Sequence, residues 1–150
     1  MRLNSSFDIS SSALTAQRLR MDVISSNIAN AETTRAKIEN GQAVPYRRKM
    51  VVMAPNETQF GKMLNSAVSG QAPVGQGVKV SAIQEDQTAF KPVYNPTSPD
   101  ADKDGYVYMP NVDVLKEMVD MISATRSYEA NVTALNASKS MESKALQIGK

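Results

Sequence analysis

The chain has no cysteine, no histidine and no tryptophan among its 150 residues. Without cysteine there are no disulfides, thiol nucleophiles or thiolate ligands. Without histidine, Ser-His-Asp and Cys-His catalysis, Cys/His zinc sites and an imidazole pH switch also fall away. Acid–base chemistry would have to rest on the 15 carboxylates, the lysines or the 5 tyrosines. Strong hydrophobes are scarce too. Leu, Ile, Val and Phe number 31, close to the level at which a self-sufficient core becomes marginal. Ala, Ser, Asn and Thr number 51, small side chains that favour close packing over deep burial.

Long apolar runs are missing as well. The longest, Met50 to Ala54, has five residues, whereas a membrane span needs about 20 and a secretory leader about 7–15. The sequence therefore predicts neither a span nor a cleaved leader. The formal charge of +2 is spread thinly: +1 over residues 1–35, +3 over 36–55, −2 over 56–105 and zero over 106–150. Arg47, Arg48 and Lys49 form the only basic cluster. It is narrower than a nucleic-acid footprint and reads as the charged start of a strand.

What is present is helical at both ends. Phe7, Leu14, Met21 and Ile28 recur every seven residues, with Leu3, Ile24 and Ala31 interleaved and Ser10 and Gln17 interrupting the seam. No Pro or Gly precedes Gly41, and Ser5 with Asp8 fits a capping start. From Val112 to Ile148 there is again no Pro or Gly, and Gly149 ends the run. There Val114, Met118, Met121, Thr125, Tyr128, Val132 and Leu135 form a stripe at spacings of three and four, drifting on to Ala134, Ala137, Met141, Ala145 and Ile148. Asn111 is the expected cap of this helix. So long an apolar stripe, with so small a core beside it, asks for a partner.

Between the helices, Val44–Ala54, Gly77–Gln84, Thr88–Tyr94 and Gly105–Met109 read as short strands. Residues 55–76, with two Pro and three Gly, read as a mobile loop. The expected fold class is α+β: long terminal helices with a small β-rich insertion. The expected domains are a discontinuous helical part (1–35 with 111–150) and a β-rich insertion (36–110).

Candidate chemistry is sparse. Asp100, Asp102, Asp104 and Gly105 match the opening of a calcium-binding EF-hand loop, but Asn111 stands where the bidentate Glu belongs, after Pro110. An acidic turn before a strand is the preferred reading, and a calcium-dependent binding module built on Asp100–Gly105 is the alternative function. Gly70, Gly75 and Gly77 lack the Gly-Lys-Ser/Thr of a phosphate loop. Two carboxylates converging as in a hydrolase are not suggested by any local spacing. Asn27 and Asn30 leave two readings open: a frayed helix end, or amides buried between helices to fix register. Arg126, Tyr128, Glu129 and Asn131 pose the same choice on the second helix.

Ser26-Asn27-Ile28-Ala29-Asn30 with Thr33 and Thr34 resembles the N-terminal signature of the bacterial flagellar rod and hook (axial) protein family. Phe7-Asp8-Ile9 with Ser12-Ala13-Leu14 is similar to the start of its proximal-rod members. So are Pro99-Asp100-Ala101-Asp102 leading to Gly105-Tyr106-Val107, and Met109-Pro110-Asn111-Val112-Asp113 followed by Glu117-Met118 and Arg126-Ser127-Tyr128-Glu129-Ala130-Asn131. The resemblance implies a structural, non-catalytic subunit of the flagellar basal-body rod, without cofactor or metal. It implies terminal helices paired as an antiparallel coiled-coil-like layer, and export through the flagellar type III apparatus with no cleaved signal. It further implies helical polymerisation into a rod that crosses the cell envelope and carries motor torque. The implied partners are other copies of itself, the rod proteins FlgB, FlgF and FlgG, and the basal-body protein FliE, with no nucleic acid and no membrane insertion. The residues expected at the assembly interface are Phe7, Leu14, Met21, Asn27, Ile28, Asn30, Met118, Met121, Ile122, Arg126, Tyr128, Asn131, Val132 and Leu135.

Overall fold

A first segment free of Pro and Gly folds as one helix, α1 (Asn4–Ala29), about 39 Å long at 1.5 Å per residue. It stops where Asn30 turns back on it: both the Asn30 backbone N–H (3.1 Å) and its side-chain Nδ2 (2.9 Å) donate to the Ser26 carbonyl, and Thr33 Oγ1 meets Asn30 Oδ1 at 3.3 Å. Among the described residues six short strands follow: β1 (Lys37–Glu39), β2 (Gln42–Val44), β3 (Lys49–Pro55), β4 (Val78–Glu85), β5 (Lys91–Tyr94) and β6 (Tyr106–Met109). A second long helix, α2 (Val114–Ile148), ends the fold. The computed structural model describes residues 4–39, 42–56 and 77–148. Of the expected loop 55–76, Pro55 closes β3 and residues 57–76 lie outside the described residues, as do Leu3, Gly41, Gly70, Gly75, Gly149 and the Ser5 side chain.

The strands pair as three two-stranded sheets, β1 with β2, β3 with β4, and β5 with β6. The first and last are antiparallel hairpins, with Lys37 opposite Val44 and Tyr94 opposite Tyr106. The β1–β2 hairpin was not expected. Nor was the break in the predicted strand Val44–Ala54, where Pro45 lacks the N–H a ladder needs and Tyr46 N–H donates to the Thr33 carbonyl at 3.0 Å. The strand expected from Thr88 begins only at Lys91, because Thr88 is held in a local turn. Its N–H (2.9 Å) and hydroxyl (2.5 Å) both donate to Asp86 Oδ1.

The start of α2 corrects the expected cap. Asp113 Oδ1 accepts from the N–H groups of Leu115 (3.1 Å) and Lys116 (3.4 Å). Asn111 instead spans strands: its Oδ1 takes the Arg48 N–H at 2.8 Å, while its Nδ2 donates to the carbonyls of Asp86 and Thr88, each at 3.2 Å.

The chain divides into two compact units, and each long helix contributes residues to both. One comprises Met1–Leu19, Val52–Ala82 and Ala124–Lys150; the other comprises Arg20–Val51 and Ile83–Ser123. In the first, the buried positions among the described residues are small: Ser10, Ala16 and Ala124, the last with no exposed surface. Ser10 and Gln17 share a heptad column with Ile24. Ser10, one of the two residues that interrupt the apolar seam, therefore belongs to the packed line, where a small side chain lets helices approach, while Gln17 is half-buried. Ser6 and Ser138 hydroxyls meet at 3.4 Å in this unit. Ser12 Oγ accepts the Val78 N–H at 3.1 Å, and Asn56 N–H donates to the Gly77 carbonyl at 2.7 Å.

Among the described residues of the second unit, Val23, Ile24, Tyr46, Val107, Pro110 and Val112 are buried. Arg20 pairs with Asp120 at 3.3 Å and Asn27 with Glu117 at 3.0 Å. Rising numbers on α1 meet falling numbers on α2, so the terminal helices run antiparallel. The architecture is α+β, with paired terminal helices and small strand pairs between them.

Candidate assembly interface

At Asn27, α1 turns a primary amide inward, and the side chain keeps 1 % of its surface exposed. Its Nδ2 donates to the Lys49 carbonyl (2.8 Å) and to Glu117 Oε2 (3.0 Å), while its Oδ1 accepts from the Lys49 N–H and the Tyr46 hydroxyl, both at 3.0 Å. An amide offers a donor and an acceptor side by side, so it satisfies both backbone groups of Lys49 as a neighbouring strand would. Neither a carboxylate nor a hydroxyl can do both and still reach Glu117. Of the two readings of Asn27 and Asn30, burial holds for the first and helix termination for the second.

Glu117 is also 1 % exposed. Its Oε1 takes the Arg48 guanidinium through Nε and Nη2, each at 2.6 Å. Arg48 Nη1 lies 3.5 Å from Asp86 and its Nη2 3.7 Å from Asp120, whose other oxygen meets Arg20. Burial alone would make the guanidinium easier to deprotonate, but the hydrogen bonds and charges of Glu117 and Asp86 outweigh it and raise its pKa. A buried carboxylate left alone would cost several kcal/mol; paired and hydrogen-bonded at every oxygen, it becomes a register pin. The basic cluster of the sequence is thereby spent internally. Arg48 serves Glu117, Arg47 donates to the Asp86 carbonyl and Gln87 while its guanidinium lies 4.7 Å from the Phe90 ring centre, and Lys49 lies 5.7 Å from that of Tyr46.

The acidic loop has a comparable internal use. The Asp100 carboxylate accepts from the Thr34 hydroxyl (3.0 Å), from Arg35 Nε (3.0 Å) and from Arg35 Nη2. These bonds hold its pKa below the ordinary carboxylate value, with Arg35 the larger cause and Thr34 the next. Asp102 Oδ1 accepts the Lys103 N–H, and Gly105 closes the turn at φ +79°. Among the described residues no three carboxylates gather closely enough to hold a metal ion. The alternative of a calcium module thus has no ligand cage at Asp100–Gly105, because the first carboxylate is turned onto the segment after α1. A cleft of about 290 Å³ beside it, lined by Arg35, Asp100, Asp102 and Tyr108 among others, has its Asp100 engaged in the same way.

Comparison with known proteins gives the family. Residues 7–37 match the family described as flagella basal body rod protein, and residues 103–148 match the flagellar basal body rod FlgEFG protein C-terminal family. The flagellar basal-body rod protein FlgC of Bacillus subtilis strain 168 is 62% identical over 145 residues, covering 97% of both chains. FlgC of Borreliella burgdorferi is 47% identical over 155 residues (99% of this chain, 98% of the relative), and that of Salmonella typhimurium 46% over 149 (99% of each). The chain belongs to the FlgC family of flagellar basal-body rod proteins.

In this FlgC-family chain the two matched regions carry Asn27 and Glu117, the two ends of the buried pin. The outward face of α2 is different in kind. Leu115, Met118, Val119 and Ile122, at spacings i, i+3, i+4 and i+7, are 75, 50, 67 and 60 % exposed. Of the predicted stripe, Val114 and Met118 face outward, and the inward line runs through Glu117, Met121, Ala124, Tyr128, Asn131 and Leu135. Of the other interface candidates, Phe7, Leu14, Met21, Ile28, Asn30 and Val132 are half-buried. Arg126 makes a surface pair with Glu129 at 3.1 Å, and Asn131 Nδ2 donates to the Ser127 carbonyl of its own helix.

Sequence reasoning missed Arg48, Glu117, Tyr46 and Asn111 as one network. A signal existed: Glu117 lies on the same helical line as Met121, Tyr128 and Leu135, and an acid on an apolar line needs a buried cation.

Proposed function

We propose that the chain is a structural subunit of the basal-body rod that polymerises helically through its terminal helices and transmits motor torque for swimming. The observation that carries this reading is the apolar stripe of Leu115, Met118, Val119 and Ile122 on α2. Four such side chains left half to three-quarters in water forgo roughly 4–8 kcal/mol of gross burial, a gain that only a covering neighbour realises. Behind the stripe, the Asn27–Glu117–Arg48 pin holds α2 to α1 and β3, so the face is presented rigidly. Rigidity is what torque transfer asks of a contact.

In this reading residues 1–35 and 111–150 form the inner helical layer and 36–110 the outer β-rich part. The half-buried seam residues serve the helix pair, and Met118 and Ile122 serve the neighbour. The neighbours are other copies, FlgB, FlgF, FlgG and FliE. The chain reaches the rod, which crosses the cell envelope, through the type III export apparatus without losing a leader. Replacing Met118→Asp and Ile122→Asp together abolishes motility and rod assembly while leaving the level of the chain unchanged. Normal swimming of that variant overturns the proposal.

A further inference from the structure

The β5–β6 hairpin carries a second exposed apolar surface in the same unit as the α2 stripe. Cross-strand partners Pro92–Tyr108 and Tyr94–Tyr106 lie on one face of the hairpin, and the tyrosines are 66, 43 and 46 % exposed in the order Tyr94, Tyr106, Tyr108. Val107, on the other face, is buried. The surface is built rather than loose. Tyr94 and Tyr106 stack edge to face, with ring centres 5.4 Å apart and planes at 67°. The turn needs Gly105 at φ +79°, and a Cβ there would stand 3.0 Å from Tyr94 Cε2. Fixed tyrosines lose little entropy on contact and are common binding hot spots.

Resting on the proposed rod function, we infer that this tyrosine face is the seat for the α2 stripe of a neighbouring copy of the same chain. An open helical polymer requires two unlike surfaces on each subunit, whereas a stripe pairing with itself closes a two-fold dimer. The two surfaces are unlike and suited to each other. One is aliphatic with a methionine, whose sulfur packs well on aromatic edges; the other is aromatic. Both borders carry charges of both signs that can pair across such a contact: Asp113 and Lys116 beside the stripe, Lys91, Lys103 and Asp104 beside the tyrosines. Lys116 beside the stripe and Asp104 beside the tyrosines are both exposed, and neither has an ion-pair partner among the described residues. Both surfaces stay exposed within one chain, so they do not cover each other there.

The lack of native cysteine makes the test clean. Chains carrying Met118→Cys and Tyr106→Cys are expressed together in motile cells, basal bodies are isolated and oxidised, and the products are separated without reductant. The expected result is a cross-linked dimer from the mixture, none from either chain alone, and a ladder from a chain carrying both substitutions. No dimer in basal bodies that contain both chains overturns the pairing, and so does self-linking of Met118→Cys alone. Charge reversal gives the same test without thiols. Lys116→Asp and Asp104→Lys each lower assembled rods about ten-fold, the equivalent of one lost ion pair made repulsive, and together they restore them. A double variant no better than the singles overturns the inference. If Met118→Asp with Ile122→Asp swims normally, the rod reading itself falls. If that variant loses its rod while the mixed cysteines give no dimer, only the hairpin pairing falls.

Discussion

Asn27 and Glu117, 90 residues apart in the chain, share a 3.0 Å hydrogen bond, and each keeps 1 % of its surface exposed. The bond fixes the rotation of α2 about its own axis, since Glu117 points inward only if Leu115, Met118 and Ile122 point outward. A polar pair thus decides which apolar side chains are offered to neighbours.

Substitution at Asn27 ranks accordingly. Asn27→Ala leaves both backbone groups of Lys49 and one oxygen of Glu117 without a partner, at a cost of roughly 2–4 kcal/mol. Asn27→Asp is worse despite its shape, because it removes the donors and sets a second carboxylate against Glu117. Urea unfolding followed by circular dichroism gives the order; equal stability of Asn27→Asp and the parent contradicts the assignment.

Arg48 and Glu117 form a coupled pair. Arg48→Met alone strands a buried carboxylate, and Glu117→Leu alone strands a partly buried guanidinium, each at about 3–5 kcal/mol. The double variant is less destabilised than the sum of the two, and a cycle of the four chains measures the coupling. Arg48→Lys does not substitute, since one ammonium cannot replace the fork that meets Glu117, Asp86 and Asp120.

Gly77 is required by crowding. A Cβ at that position would lie 2.1 Å from Ser12 Oγ and 3.0 Å from Ser12 Cβ. Gly77→Ala therefore destabilises by about 1–3 kcal/mol and displaces the hydroxyl that accepts the Val78 N–H. Adding Ser12→Gly recovers part of the loss in thermal unfolding. No recovery points to backbone conformation instead.

Acid sensitivity follows from Asp86 and Asp100. Asp86 is held below its ordinary pKa first by the two Thr88 bonds and then by Arg48; Asp100 is held down first by Arg35 and then by Thr34. A folded pKa below the unfolded one means that both contributions are fully present above about pH 4 and are lost as pH falls through the folded values. Asp100→Asn and Asp86→Asn each flatten the acid limb of a stability–pH curve, and above that range the curve stays level with respect to these groups. An unchanged acid limb in both variants contradicts the assignment.

Much of the fold was legible in the sequence. Two long stretches without Pro or Gly, with apolar residues three and four apart, specify two helices, and Pro, Gly and Asn mark out the short strands. Asn27 was legible as a candidate because an amide inside an apolar seam is expensive unless it is used. Other features were hidden for physical reasons. Glu117 near a helix start reads as dipole compensation, and only the folded chain brings Arg48 to it from β3. Counting apolar residues put Val114 and Met118 on one partner-seeking stripe with Met121 and Tyr128, whereas the helix turns Glu117 inward and divides that stripe, leaving Val114 and Met118 on the outward side. The β1–β2 hairpin has too few residues to show alternation.

The way Asn27 meets Lys49 has a consequence beyond registering two helices. A two-stranded sheet has two free edges, and each is a template on which a stray strand, from another molecule or an unfolded segment, can zip. Lys49 is the first residue of β3, and its N–H and carbonyl are already occupied by the Asn27 amide. A side chain from a helix therefore seals the entrance to that edge. Losing it would expose an aggregation nucleus as well as loosen the fold.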